Sequence, residues 1–285
     1  MAEDKRKTEP SSFDPKPTRF PYGDYTDEHY ISIKKDNGLV FDENYPYVDN
    51  SKSFLFKRKL VRLLLLLLVY PMTRIRLGLR IEGKKNIKNN KEALRGGAIT
   101  ISNHVHFWDY LAVTLAARPH ILDMLVWAPN VRGESGALVR LMGGIPIPDK
   151  DYKAVAKFNE SINRYLKDGG WLHVYPEGSM WEYYRPIRPF KTGMAYYSIK
   201  NDVPILPMAF SYRKPGWIRR NIFHQIALFT LRIGEPISPK KDLSLKEGQE
   251  DLLRRCHEQV CLLAGIDPNK NPYPSIFNHT KRIEY

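Results

Sequence analysis

From residue 79 onward, short apolar runs alternate with stretches in which apolar residues recur at helical spacing. The runs at 79–83, 98–102, 122–128, 144–147, 171–175, 205–210 and 226–233 read as strands. Helical patterns cover 107–117, 137–142, 154–167 and 192–200, and a last one covers about 245–263. Pro268, Pro272 and Pro274 then end regular structure. Alternation of this kind predicts an α/β fold, a single domain with a mainly parallel sheet flanked by helices. Ligands in such folds gather beyond the carboxyl ends of strands. Two polar motifs, Asn103-His104 and Pro176-Glu177, directly follow predicted strands and are expected to meet at one sheet edge.

Upstream the pattern changes. Residues 1–50 are polar and dotted with Pro and Tyr; 1–20 are expected to be mobile, and 20–50, with tyrosines at 22, 25, 30, 45 and 47, to lie as an extended arm on the body. Six consecutive leucines, Leu63 to Leu68, follow Lys57, Arg58, Lys59 and Arg62 and precede Arg74, Arg76, Arg80, Lys84 and Lys85. A bilayer core of ~30 Å needs about 20 apolar residues to cross, so this run is too short. Cations on both sides give no asymmetry to orient a crossing. The segment 51–78 is expected to be a helix that lies on or dips into an anionic membrane surface. The expected organisation is therefore a polar arm (1–50), a membrane-associating helix (51–78), an α/β domain (79–265) and a tail (266–285).

Composition sharpens the partner class. Forty-five Lys and Arg against 31 Asp and Glu leave +14, which calls for an anionic partner. Zinc-finger spacings, aromatic-basic strands and separate basic tracts are missing, which argues against nucleic acid. Cys256 and Cys261 fit neither a redox pair nor a zinc site, so a reducing, cytoplasmic setting is expected, on the cytoplasmic face of a membrane as a peripheral or monotopic protein.

The chemistry concentrates in Asn103-His104-Val105-His106-Phe107-Trp108-Asp109. An imidazole with a carboxylate to orient it can take a proton from an alcohol. Asp109 is expected about one turn into a helix, within reach of His104, and to fix its tautomer. His106 is read as a helix cap or the filling of a polar pocket. A metal-dependent hydrolase built on His104 and His106 is the alternative; it lacks the further ligands a zinc site needs nearby. A non-catalytic lipid-binding protein is the third reading. No Gly-x-Ser-x-Gly elbow and no P-loop occurs, so the substrate's own hydroxyl is expected to attack.

These motifs, taken together, resemble the glycerolipid acyltransferases, the lysophosphatidic-acid acyltransferase family. The boxes are Ser102-Asn103-His104 to Asp109, the Gly143 to Ile147 strand, Tyr175-Pro176-Glu177-Gly178-Ser179, Phe190-Lys191-Thr192-Gly193 and Val203 to Pro207. Their order and spacing agree with the family over about residues 80–240. The resemblance implies transfer of a fatty acyl group from acyl-CoA or acyl-carrier-protein, as co-substrate, to a lysolipid hydroxyl in phospholipid biosynthesis. No cofactor and no metal are implied. His104 would be general base and Asp109 its partner, without an acyl-enzyme. Glu177, Gly178, Ser179 and Lys191 would help bind the acceptor. Two departures stand out: Met180 occupies the place of the family's phosphate-gripping Arg, and the nearest cation after the second box is Lys150. Lys150, Arg185 and Arg188 are the expected substitutes for acceptor binding, with lysophosphatidic acid the acceptor favoured.

Overall fold

The structure is a computed structural model that describes residues 13–15, 25–30, 36–149 and 151–277. Seven strands form one sheet: β1 (Arg80–Glu82), β2 (Ala98–Ile101), β3 (Leu122–Trp127), β4 (Gly144–Ile147), β5 (Trp171–Val174), β6 (Ile205–Arg213) and β7 (Leu228–Ile233). Their order is β1-β7-β6-β2-β5-β3-β4. The sheet is mostly parallel, as expected. Only the β6–β7 pairing is antiparallel, and β1 then runs parallel to β7. Every predicted strand is present; β6 runs three residues further than the apolar run suggested.

The longer helices are α1 (Lys52–Leu64), α2 (Tyr70–Leu77), α3 (Asp109–Ala117), α4 (Tyr152–Lys167), α5 (Gly193–Asn201) and α6 (Leu245–Ala264). On one face of the sheet, Phe158, Ile162 and Leu166 of α4, Met194 of α5 and Leu252, Leu253 and Val260 of α6 cover Ile99, Ile101, Leu172 and Ile205. On the other, Ala112, Val113 and Ala116 of α3 pack with Leu206, Met208, Phe210 and Phe229. Burying each large apolar side chain stabilises the fold by roughly 1.5–3 kcal/mol relative to exposure. Helix α6 carries a full capping box, Ser244 with Glu247, and ends at Gly265 in the left-handed region at φ +78.

The helix expected over 51–78 is present from Lys52 to Leu77, with a wide turn at Leu65–Val69 in which Tyr70 N–H bonds Leu65 O. Pro71 explains it: a proline inside a helix lacks the N–H for the carbonyl one turn back and crowds it, and a locally wider turn relieves both. Arg58 and Arg62 reach Asp123 on β3, which ties the helix to the body. The arm lies on the body at 36–50, where Phe41 and Tyr47 are buried and Tyr47 donates to Phe41 O at 2.9 Å. The expectation of mobility falls, except for 13–15, on residues outside those described, as does the tail beyond 277. Cys256 and Cys261 are buried free thiols, each pushed up to about 12 by burial.

Candidate active site

Strand β2 ends at Ile101, and Asn103 continues its pairing by side chain. Its amide donates to Phe210 O at 3.1 Å and accepts Phe210 N–H at 2.8 Å. That pair pins the chain to β6 just as it leaves the sheet, so His104 stands at the carboxyl edge. Asp109 is the first residue of α3, not one turn inside it as expected. Its carboxylate folds back over the connecting loop and accepts the N–H groups of Val105 (3.0 Å) and His106 (3.3 Å). The same oxygen lies 2.7 Å from Nδ1 of His104.

Asp109 is fully buried, which works against its charge. The neighbouring His104, the Tyr175 hydroxyl and the Val105 amide outweigh that penalty and hold its pKa below the usual carboxylate range. Tyr175 donates to the other Asp109 oxygen at 2.6 Å, while its ring stacks on His104 with centroids 3.8 Å apart. Burial first, then Asp109, pushes the Tyr175 phenol well above its ordinary value, so it stays a donor. With Nδ1 engaged by a carboxylate, the ring of His104, about a quarter exposed, has Nε2 left for an acceptor.

Beneath this pair lies His173 of β5, 2.8 Å from Thr100 Oγ1 and lowered to about 3 by burial, hence neutral. Tyr175 and His173 were not singled out from sequence. Two polar rings at alternate positions closing an otherwise apolar strand were the available signal, since i and i+2 share a face. His106 accepts from Trp108 N–H at 3.0 Å and is lowered to about 4, chiefly by burial. Its ring is buried and meets those of Tyr183 and Phe229 edge-on at 5.7 and 5.2 Å. Among the described residues, no group of three His, Cys, Asp or Glu is placed to hold a metal ion.

The box at 175–179 meets the His box through Glu177, whose Oε2 accepts His104 N–H at 3.0 Å. Glu177 and Ser179 are themselves buried, and both are engaged by Arg188: Nη2 to Glu177 Oε2 at 2.9 Å and Nη1 to Ser179 Oγ at 2.7 Å. Arg188 also donates to Thr26 O at 2.7 Å and lies over the Trp181 ring at 4.5 Å. It is a buried cross-brace with all its reach directed inward. Gly178 turns at φ +82, and a Cβ there would come within 2.8 Å of Lys191 Cε, so glycine lets the lysine lie across the turn. Lys191 Nζ pairs with Asp27 at 2.9 Å. Arg185 is half-buried on the turn before Arg188, and Lys150 lies outside the described residues.

An imidazole held by a buried carboxylate at the carboxyl edge of a parallel sheet can take a proton from an acceptor, which is equipment for an enzyme. Residues 78–211 match the Acyltransferase family model. A stretch of 131 residues is 28% identical to N-acylphosphatidylethanolamine synthase of Arabidopsis thaliana, covering 41% of this chain and 46% of that protein. The chain thus spans about half the length of that relative. Among solved structures, it is similar to the 1-acyl-sn-glycerophosphate (LPA) acyltransferase PlsC from Thermotoga maritima. That match has a TM-score of 0.48 and 18% identity, and covers 75% of this chain and 82% of that one. The matched stretch is thus an acyltransferase domain, and it holds all five boxes from Ser102 to Pro207.

Proposed function

We propose that the protein moves a fatty acyl group from acyl-CoA or acyl-carrier-protein to the hydroxyl of a lysolipid, with lysophosphatidic acid first among acceptors. The observation that carries this reading is the 2.7 Å contact between His104 Nδ1 and Asp109, backed by the Tyr175 hydroxyl. His104 Nε2 takes the acceptor proton as the oxygen attacks the thioester carbonyl. The tetrahedral intermediate then expels the thiolate, and the imidazolium returns the proton to sulfur. Asp109 stabilises the imidazolium without itself taking the proton.

Lipid substrates call for a lipid-facing surface, and two neighbouring segments supply apolar side chains for one. Leu64, Leu67, Leu68, Met72 and Ile75 are exposed along the first long helix. Trp217, Ile218, Ile222 and Phe223 are exposed on the β6–β7 connection. Arg219 and Gln225 of that connection donate to the carbonyls of Ile75 (3.0 Å) and Arg76 (2.7 Å) at the end of α2, so the two segments sit side by side. Interspersed arginines suit anionic head groups. None of the described helices is long and apolar enough to cross a membrane, so the contact proposed is peripheral or monotopic.

The test is transfer of labelled acyl chain from acyl-CoA to a lysolipid panel, by wild type and His104→Ala. Loss of the base should slow turnover about 10²–10⁴-fold with the fold intact. Near-normal transfer by that variant would remove His104 from the mechanism. Phosphatidylethanolamine belongs in the panel because the Arabidopsis relative is named for N-acylation; label appearing on nitrogen alone would replace the hydroxyl acceptor with an amine.

A further inference from the structure

Residues 25–30 of the arm cross the front of the Glu177-Gly178 turn and are held there at several points. Thr26 O accepts from buried Arg188 at 2.7 Å, and Glu28 O accepts from Trp181 Nε1 at 3.2 Å. The Tyr30 ring meets Trp181 edge-on at 5.9 Å, and the His29 ring stacks on Trp127 at 4.2 Å. Burial first, then Lys191, lowers the His29 pKa, and the ring adds no charge at neutral pH.

The strap also brings a carboxylate. Asp27 Oδ2 lies 2.9 Å from Lys191 Nζ, and Lys191 lies across Gly178 in the third box. Arg188, the other cation at this turn, is turned inward and buried among Glu177, Ser179 and Thr26. Lys191 is 42% exposed and Asp27 32%, so this pair, unlike Arg188, can exchange partners with something from outside. An anion reaching the Lys191 ammonium therefore meets a carboxylate of the chain's own arm already in place.

We infer that Asp27 is a specificity-determining residue: its carboxylate stands in for an anionic head group on Lys191. A phosphomonoester acceptor must displace it, whereas an uncharged acceptor need not. The inference rests on the acyl-transfer reading for its consequence in turnover, but not for its consequence in binding. Because Thr26, Glu28 and Tyr30 anchor the strap independently, Asp27→Asn removes the charge and leaves the anchors in place.

The experiment uses the full chain as wild type, Asp27→Asn, Lys191→Met and the double variant. Glycerol 3-phosphate binding is titrated by calorimetry. In parallel, KM is measured for lysophosphatidic acid and for a monoacylglycerol of the same chain length. Asp27→Asn should tighten glycerol 3-phosphate about two- to fivefold, the worth of a partly exposed ion pair. The KM ratio of charged to uncharged acceptor should fall by the same factor, and both gains should vanish in the Lys191→Met background. Unchanged binding, an equal shift for both acceptors, or a gain that persists without Lys191 overturns the inference. If no variant transfers acyl groups, the acyl-transfer reading falls while the calorimetry still decides the role of Asp27.

Discussion

Replacing Arg188 with Met should damage the fold far more than acceptor binding. The guanidinium is 1% exposed and its partner Glu177 2%. Glu177 also accepts the N–H groups of His104 (3.0 Å) and of Arg188 itself (2.9 Å), so its carboxylate cannot leave the interior without stripping both. Removing one member of a buried ion pair typically costs about 3–5 kcal/mol, because the remaining charge is left uncompensated. The carbonyl of Thr26 and the hydroxyl of Ser179 lose their donor as well. For a domain of this size each kcal/mol lowers Tm by about 2–4 °C, so the melting point should drop roughly 6–20 °C. Arg188→Lys keeps the charge but loses the fork that reaches Glu177, Ser179 and Thr26 together, and should fall between. The assay is urea and thermal denaturation followed by circular dichroism, with KM for lysophosphatidic acid measured where the variant is still folded. A stability loss under about 1 kcal/mol, combined with a large rise in KM for anionic acceptors only, would refute the cross-brace and restore Arg188 to the acceptor site.

Two more outcomes test other parts of the molecule. His106 and His173 are held neutral by burial, at about 4 and about 3, against an ordinary 6.5. The unfolded chain protonates both as pH falls through about 6.5 while the folded chain does not, so their share of stability is intact above that pH and declines below it. Urea midpoints between pH 7.5 and 5 should fall in wild type, and His173→Gln should flatten the slope by up to about 1.4 kcal/mol per pH unit; an unchanged slope would show that His173 does not carry it. At the lipid surface, Trp217→Glu with Phe223→Glu should lower partition onto anionic liposomes at least about tenfold in high salt, given roughly 1.5–3 kcal/mol for each buried aromatic. Wild type that washes off completely in high salt would mean that charge alone holds it.

The strands were legible because each is an apolar run bounded by turn residues, and the parallel arrangement followed from the helices between them. The antiparallel β6–β7 pair was not legible. Residues 214–227 separate these strands by a length that suits either direction, and the choice is made by where β7 and β1 find a free edge. His104 and Asp109 were legible from spacing alone, because a carboxylate five positions on can return to the ring across one loop. The start of α3 was misplaced since Phe107 and Trp108 fit the helical apolar pattern, yet the Asp109 carboxylate bonds the amides of Val105 and His106 and holds the loop before it out of helical form.

Arg188 and Lys191 show where reading by residue type stops. Both are cations just after a box that handles phosphate in the family, and in a linear sequence they are equivalent. In the fold they part company through residues more than 150 positions away. Thr26 O completes the inward coordination of Arg188, and Asp27, the next residue along, stays at the surface on Lys191. Peptide carbonyls carry no signature in the sequence, so the burial of Arg188 could not be foreseen from its neighbours. A strap that lacks apolar periodicity gives no hint of where it will lie, and here it closes over Arg188 while leaving Lys191 partly exposed. If Asp27 competes for Lys191 as inferred, recognition of an anionic acceptor depends on the arm as well as on the boxes, and the boxes alone leave the acceptor open.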